Sequence, residues 1–414
     1  MRTPGARVVW WNAALAALLA LRLLYPCFDS PLRHLFSDPL RHWKNGLDFL
    51  HPGVIGAGDP FLYQLWLFLL QRLAGDSTGI LLVGCGLLCA AMPYGWYRAL
   101  RELMPRRHAL PTAVLIGLWP PFLVPYAYFM TETLLLSLMG FAFWLTLRAL
   151  RRRTPAAFTA ASVLWTAAVF TRLVALPTAL LCLGCAWLRQ PRPARALLLG
   201  LLPVAVLAVP AGLHARSALG FFDPLGNLYL NEIYLAGGTR NIQLDFGPQG
   251  IVHFGSPSYY TPTFYPFSDW TTAREGTLSV HIDTRRGRRD WEQALAAERA
   301  GRGVTFRDFL ENLCYLFFGQ AWPFNDRATL LGRAAVWLRW LIAPGVAWTA
   351  FAVARRVYRG REWLLPASAL LGFGLLAVQR EATMEGRYRT PLEPMVMVSI
   401  ALAVSARVRA AERR

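Results

Sequence analysis

Apolar residues in this chain gather in long uncharged runs rather than at amphipathic spacing. A hydrocarbon core needs about 20 mostly apolar residues per helix. Ten stretches read as spans: 8–25, 78–97, 109–128, 132–149, 155–171, 173–188, 196–215, 328–353, 363–379 and 391–407. The third contains Pro111, Pro120, Pro121 and Pro125, which a span tolerates where neighbouring helices satisfy the freed backbone. The fifth and sixth are separated by Arg172 alone. The run Phe61–Leu73 is apolar but too short to span, and reads as a juxtamembrane helix in the interface. The expected fold is an all-α polytopic membrane protein with about ten transmembrane helices, juxtamembrane helices in the first outer loop and a small mixed outer subdomain. Residues 1–215 then hold seven helices, 216–327 the subdomain, and 328–414 the last three helices.

Composition sharpens this picture through charge. The chain carries 43 Lys+Arg against 24 Asp+Glu, a net charge of +19, with Lys44 the single lysine. In a soluble protein that balance points to nucleic acid. Here 55% of residues are hydrophobic and the charge sits between apolar runs, so no nucleic-acid partner is expected. Intrinsic disorder and a disulfide scaffold are excluded by the same apolar content and by only six cysteines in 414 residues. Cytoplasmic loops are enriched in Lys and Arg. One alternating set of segments holds 21 arginines, from Arg2 and Arg7 to Arg413 and Arg414, against Glu102, Glu362 and Glu412. This set is the inside, with both termini cytoplasmic in a bacterial inner membrane. The segment 216–327, with 11 arginines and 12 acids, falls outside. The first helix lacks a small-x-small cleavage site and reads as uncleaved. Cys85/Cys89 and Cys182/Cys185 lie in apolar spans and suit packing better than redox or zinc chemistry. Cys27 and Cys314 both fall near the outer face, and nothing in the sequence pairs them. No metal-ligand spacing, Gly-rich phosphate loop or nucleophile motif is present.

With topology accounted for, the informative charges are those on the outer side. Loop 26–60 holds Asp29, Asp38, Asp48 and Asp59 with three histidines. Ser37 or Asp38 can cap a helix running to about Leu50, with Pro39 at its first position. Asp38 equally suits a carboxylate held as a base. Asp59, before Pro60, reads as the cap of the juxtamembrane helix. Glu132 opens the fourth span, either as a cap with Thr131 or as an acid facing the bundle. Arg172 is the one charge in a tight outer turn, either snorkelling or holding a phosphate. The last outer loop crowds Glu381, Glu385, Arg387, Tyr388, Arg389 and Glu393 between two apolar helices. Outer arginines run against the inside rule, so Arg387 and Arg389 suggest an anionic ligand. The alternative is Arg–Glu pairing within the loop.

An acidic first outer loop, a juxtamembrane helix, a helix opening Thr-Glu, a later outer Arg and a terminal E-x-R-Y-R-x-P-x-x-P together resemble the GT-C class of membrane glycosyltransferases. Relatives in that class are the protein mannosyltransferases, the aminoarabinose lipid A transferases and the bacterial dolichyl-phosphate-mannose-type transferases. The likeness covers about 26–190 and 380–395 and leaves 216–327 unmatched. SDPLRHWKNG is similar to the D-x-x-R-Y-x-x-(D/N)-G pattern of several mannosyltransferases, with His42 replacing the Tyr. The resemblance implies transfer of a sugar from a polyprenyl-phosphate donor to a lipid, glycan or protein acceptor, inverting and without metal or other cofactor. It makes Asp38 the base, with Asp29 or Asp48 open because Pro39 stands where relatives carry a second acid. Arg387, Arg389 and Arg172 become phosphate ligands, with Glu132, Glu385 and Tyr388 lining the site. Competing readings are an O-antigen polymerase or ligase, and a lipid or saccharide transporter.

Overall fold

The computed structural model describes residues 4–225, 241–245, 251–254, 277–281, 306–318, 329–378 and 386–411. Each of the ten apolar stretches contains helix. The elements up to the large insertion are α1 (Pro4–Phe28), α2 (Ser37–Leu47), α3 (Val54–Gly58), α4 (Phe61–Ala74), α5 (Thr78–Leu103), α6 (Arg106–Leu118), α7 (Pro120–Leu123), α8 (Thr131–Arg152), α9 (Pro155–Thr171), α10 (Leu176–Trp187) and α11 (Pro193–Leu219). Strands β1 (Asn241–Asp245), β2 (Ile251–Phe254) and β3 (Thr277–His281) form a sheet ordered β2-β1-β3, antiparallel then parallel. They give 216–327 the mixed character expected of it. The stretch from about Asp290 to Ala300, whose pattern suits an amphipathic helix, lies outside the described residues. Then follow α12 (Phe306–Phe318), α13 (Leu330–Trp340), α14 (Ile342–Ala354), α15 (Leu364–Val378) and α16 (Glu393–Ala411).

By length and composition, six helical stretches among the described residues can cross a membrane, or seven if one bent pair counts as a span. The expected figure of about ten is not reached by this measure among the described residues. The stretch 109–128 is no straight span. Its axis turns by 71° between α6 and the segment Pro120–Ala127. Proline 120 lacks an N–H and pushes Trp119 to extended geometry, φ −66° and ψ 116°. The stretches 155–171 and 173–188 become a 17-residue helix and a 3₁₀ turn leading into the 12-residue α10. At 1.5 Å per residue, α9 reaches about 25 Å, short of a core about 30 Å thick. The juxtamembrane helix forms as expected, over Phe61–Ala74. On α11, Leu198, Leu201, Leu202, Val206, Val209 and Leu213 are exposed, the apolar surface a lipid-facing helix presents.

Two devices hold the bundle. Small residues let helices touch backbone to backbone. A Cβ on Gly140 of α8 would lie 2.5 Å from the Trp96 nitrogen and 2.7 Å from the Gly95 carbonyl carbon of α5. A buried guanidinium supplies the second. Arg22 of α1 donates from Nε to the Cys89 carbonyl (3.1 Å), and from Nη1 to those of Gly117 (3.3 Å) and Phe122 (3.1 Å). Its plane lies 4.8 Å from the Tyr126 ring centre. The carbonyls it reaches in α6 and α7 flank the break at Pro120.

At one end of the bundle, Arg151 pairs with Glu102 at 2.8 Å, and Arg361 donates to the Leu147 carbonyl at 3.0 Å. The ends of α5 and α8 thus meet the turn before α15, a grouping the alternating arginine-rich set anticipates.

Gly140→Val is expected to cost about 1–3 kcal/mol by overpacking the α5–α8 crossing. Thermal denaturation in detergent should show it. Gly374→Val, at a site with nothing within 4 Å of its Cβ, should leave the midpoint unchanged.

Candidate functional site

The first loop is organised by α2. Asp38, Arg41, His42 and Asn45 stand at i, i+3, i+4 and i+7, so they share one helix face. That face meets Asp59. Arg41 Nε and Nη2 approach the Asp59 oxygens at 3.0 and 3.2 Å, Asn45 Nδ2 donates at 2.7 Å, and His42 Nδ1 lies 3.4 Å away. Arg41 Nη1 meets Asp38 Oδ1 at 2.7 Å. Burial alone would raise the Asp59 carboxyl, but the Arg41 guanidinium and His42 outweigh it and hold the group below its usual 3.8. Asp59 is therefore not the helix cap expected of it. Helix α4 begins after Pro60 without a side-chain cap. The N-cap position of α2 is Phe36, one residue before the expected start, and the helix ends at Leu47.

The loop is clamped from below by two glutamines that the sequence reading passed over. Gln64 donates to the Gly56 and Asp59 carbonyls at 2.6 and 2.9 Å, and Gln71 to the Trp43 carbonyl at 2.9 Å. Their spacing of seven in an otherwise apolar helix places both on one face, and is the signal that could have found them. Aromatic contacts complete the seat: Trp43 on Phe129 at 4.8 Å and His34 on Tyr128 at 5.0 Å. Of the other base candidates, Asp29 contacts His34 at 2.9 Å and Tyr25 at 3.1 Å, and Asp48 stands exposed at the end of α2.

The second cluster lies where helices start and stop. Met130 is the N-cap of α8, without a side-chain cap bond, so Glu132 occupies the first turn, where the helix dipole favours an anion. Its carboxylate is fully buried and is ion-paired with Arg172 Nη1. Arg172 is extended (φ −158°, ψ 130°) at the break after α9, and its guanidinium stacks 4.4 Å from the Tyr388 ring centre. The structure thus brings Glu132, Arg172 and Tyr388 together.

Arg389 goes elsewhere. Neighbouring side chains in a 3₁₀ turn diverge by about 120°, and Gly386–Arg389 is such a turn. Tyr388 faces Arg172, whereas Arg389 is fully buried. Its Nε donates to Glu393 (2.6 Å), its Nη1 to the Leu316 and Phe317 carbonyls (2.8 and 2.7 Å), and its Nη2 to the Arg339 carbonyl (2.7 Å). These carbonyls belong to the last turns of α12 and α13. The phosphate role expected of Arg389 is corrected to that of a clamp between helices. The Arg387 side chain and Glu385 lie outside the described residues.

The two clusters are joined by α4. The Tyr63 ring meets His42 edge-on at 5.4 Å. Burial pushes the Tyr63 phenol well up, and the Glu132 carboxylate adds to that shift. Tyr63 and Thr133 also line one narrow cavity with Trp66, Tyr126, Tyr128 and Phe129. Among the described residues, no three His, Cys, Asp or Glu are grouped to hold a metal ion. No protein-family model matches the chain, and no curated protein matches it as a relative.

Arg389→Met is expected to cost about 3–5 kcal/mol, because it strands the buried Glu393 and three carbonyls. A fall in the thermal midpoint would show this, and an unchanged midpoint would return Arg389 to a ligand-binding role. A carboxyl held below its usual value stabilises the fold above that value and loses the contribution as pH falls through the depressed one. Amide-exchange protection of α2, corrected for intrinsic rates, should therefore hold between pH 5 and 7 and decline only below about 3.8. Asp59→Asn should abolish that dependence.

Proposed function

We propose that this chain is an integral-membrane glycosyltransferase of GT-C type, moving a sugar from a polyprenyl-phosphate donor to an acceptor hydroxyl of the cell envelope. The observation that supports it most is the joined pair of clusters. One offers a partly open carboxylate in the first loop. The other offers a cation held by a buried carboxylate and an aromatic ring at the ends of apolar helices. An apolar carrier bearing a phosphate at its head suits that second setting, with its chain among the helices and its phosphate at Arg172. The clusters face the outer side of the membrane on this reading, where a nucleotide-sugar donor is not expected.

In the proposed reaction Asp38 accepts the proton of the acceptor hydroxyl. The oxygen forms a bond to the anomeric carbon as the bond from that carbon to the phosphate oxygen breaks, inverting the centre. The leaving polyprenyl phosphate takes the electron pair, and Arg172 stabilises the charge that develops on it. Glu132 and Tyr388 hold the guanidinium in place beforehand, which removes the cost of reorienting it during the reaction. Arg387 keeps its candidacy as a second phosphate ligand from the sequence, and Arg389 does not.

Purified protein in liposomes, supplied with synthetic polyprenyl-phosphate mannose, glucose or aminoarabinose and envelope lipid as acceptor, tests this reading. Asp38→Asn should lower transfer by about 10²–10⁴-fold. Arg172→Gln should lower it by about 10²-fold or more. Wild-type transfer by a folded Asp38→Asn protein would remove Asp38 from the role of base. No transfer by the wild type from any of the three donors would count against the reaction class.

A further inference from the structure

The proposed reaction uses Asp38 and leaves Asp59, a carboxylate held by Arg41, His42 and Asn45, without a task. The way Arg41 is shared supplies one. A guanidinium can meet a carboxylate along its Nε–Nη2 edge with two parallel contacts, or at its Nη1 tip. Arg41 turns its edge to Asp59, at 3.0 and 3.2 Å, and its tip to Asp38, at 2.7 Å. Asp59 holds that edge through further support: Asn45 at 2.7 Å, His42 at 3.4 Å, and its own carbonyl fixed by Gln64 at 2.9 Å. The Asp59 side chain is 10% exposed and that of Asp38 14%. Two carboxylates therefore compete for one cation, whose own side chain is 32% exposed.

We propose that Asp59 is a positioning residue that takes the edge of Arg41, so that Asp38 meets the cation at its tip and keeps the basicity that proton removal requires. The identity of the proton rests on the glycosyltransferase reading, whereas the division of the cation does not. The general rule is that neighbouring titratable groups take different roles when their surroundings push their affinities for protons apart. The charged and titratable groups acting on Asp59 are Arg41, His42 and Asp38, and their balance holds it anionic. In Asp59→Asn the edge of Arg41 is released and turns to Asp38, which becomes a weaker base.

Two measurements test this. In the liposome assay with the same three donors, Asp59→Asn should move the acid limb of kcat/KM down by about one pH unit. It should also lower kcat about 10-fold with donor KM within about two-fold, and Asp59→Glu should restore part of the rate. A purely structural role would lower the active fraction without moving the limb, and that result overturns the proposal. The second measurement needs no transfer: infrared titration of protein labelled with ¹³C-carboxyl aspartate, the Asp38 band being identified by subtraction of Asp38→Asn. Asp59→Asn should lower the midpoint of that band, and an unchanged midpoint overturns the proposal. A lowered midpoint in a protein that turns over none of the donors would uphold the sharing of Arg41 and count against the glycosyltransferase reading. If Asp59→Asn does not fold, Arg41→Lys replaces the fork by a point charge and should raise the Asp38 midpoint; no rise overturns the proposal.

Discussion

The architecture depends on guanidinium groups that satisfy backbone carbonyls where membrane helices break. In an apolar surrounding an unpaired carbonyl costs several kcal/mol, so a helix can stop or bend there only if a donor arrives from elsewhere. Arg22 is that donor for the bend between α6 and α7, and Arg389 for the ends of α12 and α13. The guanidinium suits the work because its five N–H groups fan out in a plane and reach several acceptors at once. A lysine ammonium would reach them as a compact point charge that is far costlier to dehydrate.

The breaks so stabilised are what shape the candidate site. A bundle of uninterrupted helices offers side chains to its neighbours and to lipid, and little else. Here the segment Pro120–Ala127 turns aside and brings Tyr126 and Tyr128 against the first loop, while α9 stops at Arg172 and lets its side chain run across to Glu132. Helix α4 then joins the two groups, with glutamines holding the loop on one side and Tyr63 near Glu132 on another.

Much of this was legible in the chain, in proportion to how local the cause was. Apolar runs foretold the helices, whereas the shared face of Asp38, Arg41, His42 and Asn45 shows only once Asp59 is seen to meet it. Proline content marked 109–128, but its bend follows from geometry at Trp119 that hydropathy does not record. Glu132, Arg172 and Tyr388 stood out as charges or aromatics in turns between apolar helices, and they do meet. Asp59 misled because an acid before a proline imitates a helix cap, whereas its real partners sit 14 and 18 positions earlier. Arg389 misled for the opposite reason. Its pairing with Glu393, four positions on, is the Arg–Glu alternative the sequence left open, but its other acceptors are main-chain carbonyls 50 to 73 positions away, and a carbonyl leaves no mark in a sequence.

Arg22 also bears on how the protein is made. Its acceptors lie 67, 95 and 100 positions further along the chain. During synthesis the first helix therefore emerges carrying a cation whose partners have not yet been translated. A lone arginine in a membrane helix is disfavoured by about 2.5–3.5 kcal/mol in insertion measurements. That cost is relieved only when α5, α6 and α7 bring the carbonyls that Arg22 bonds. Its docking is thus a late event in assembly, and the bend at Pro120 is completed by the oldest part of the chain.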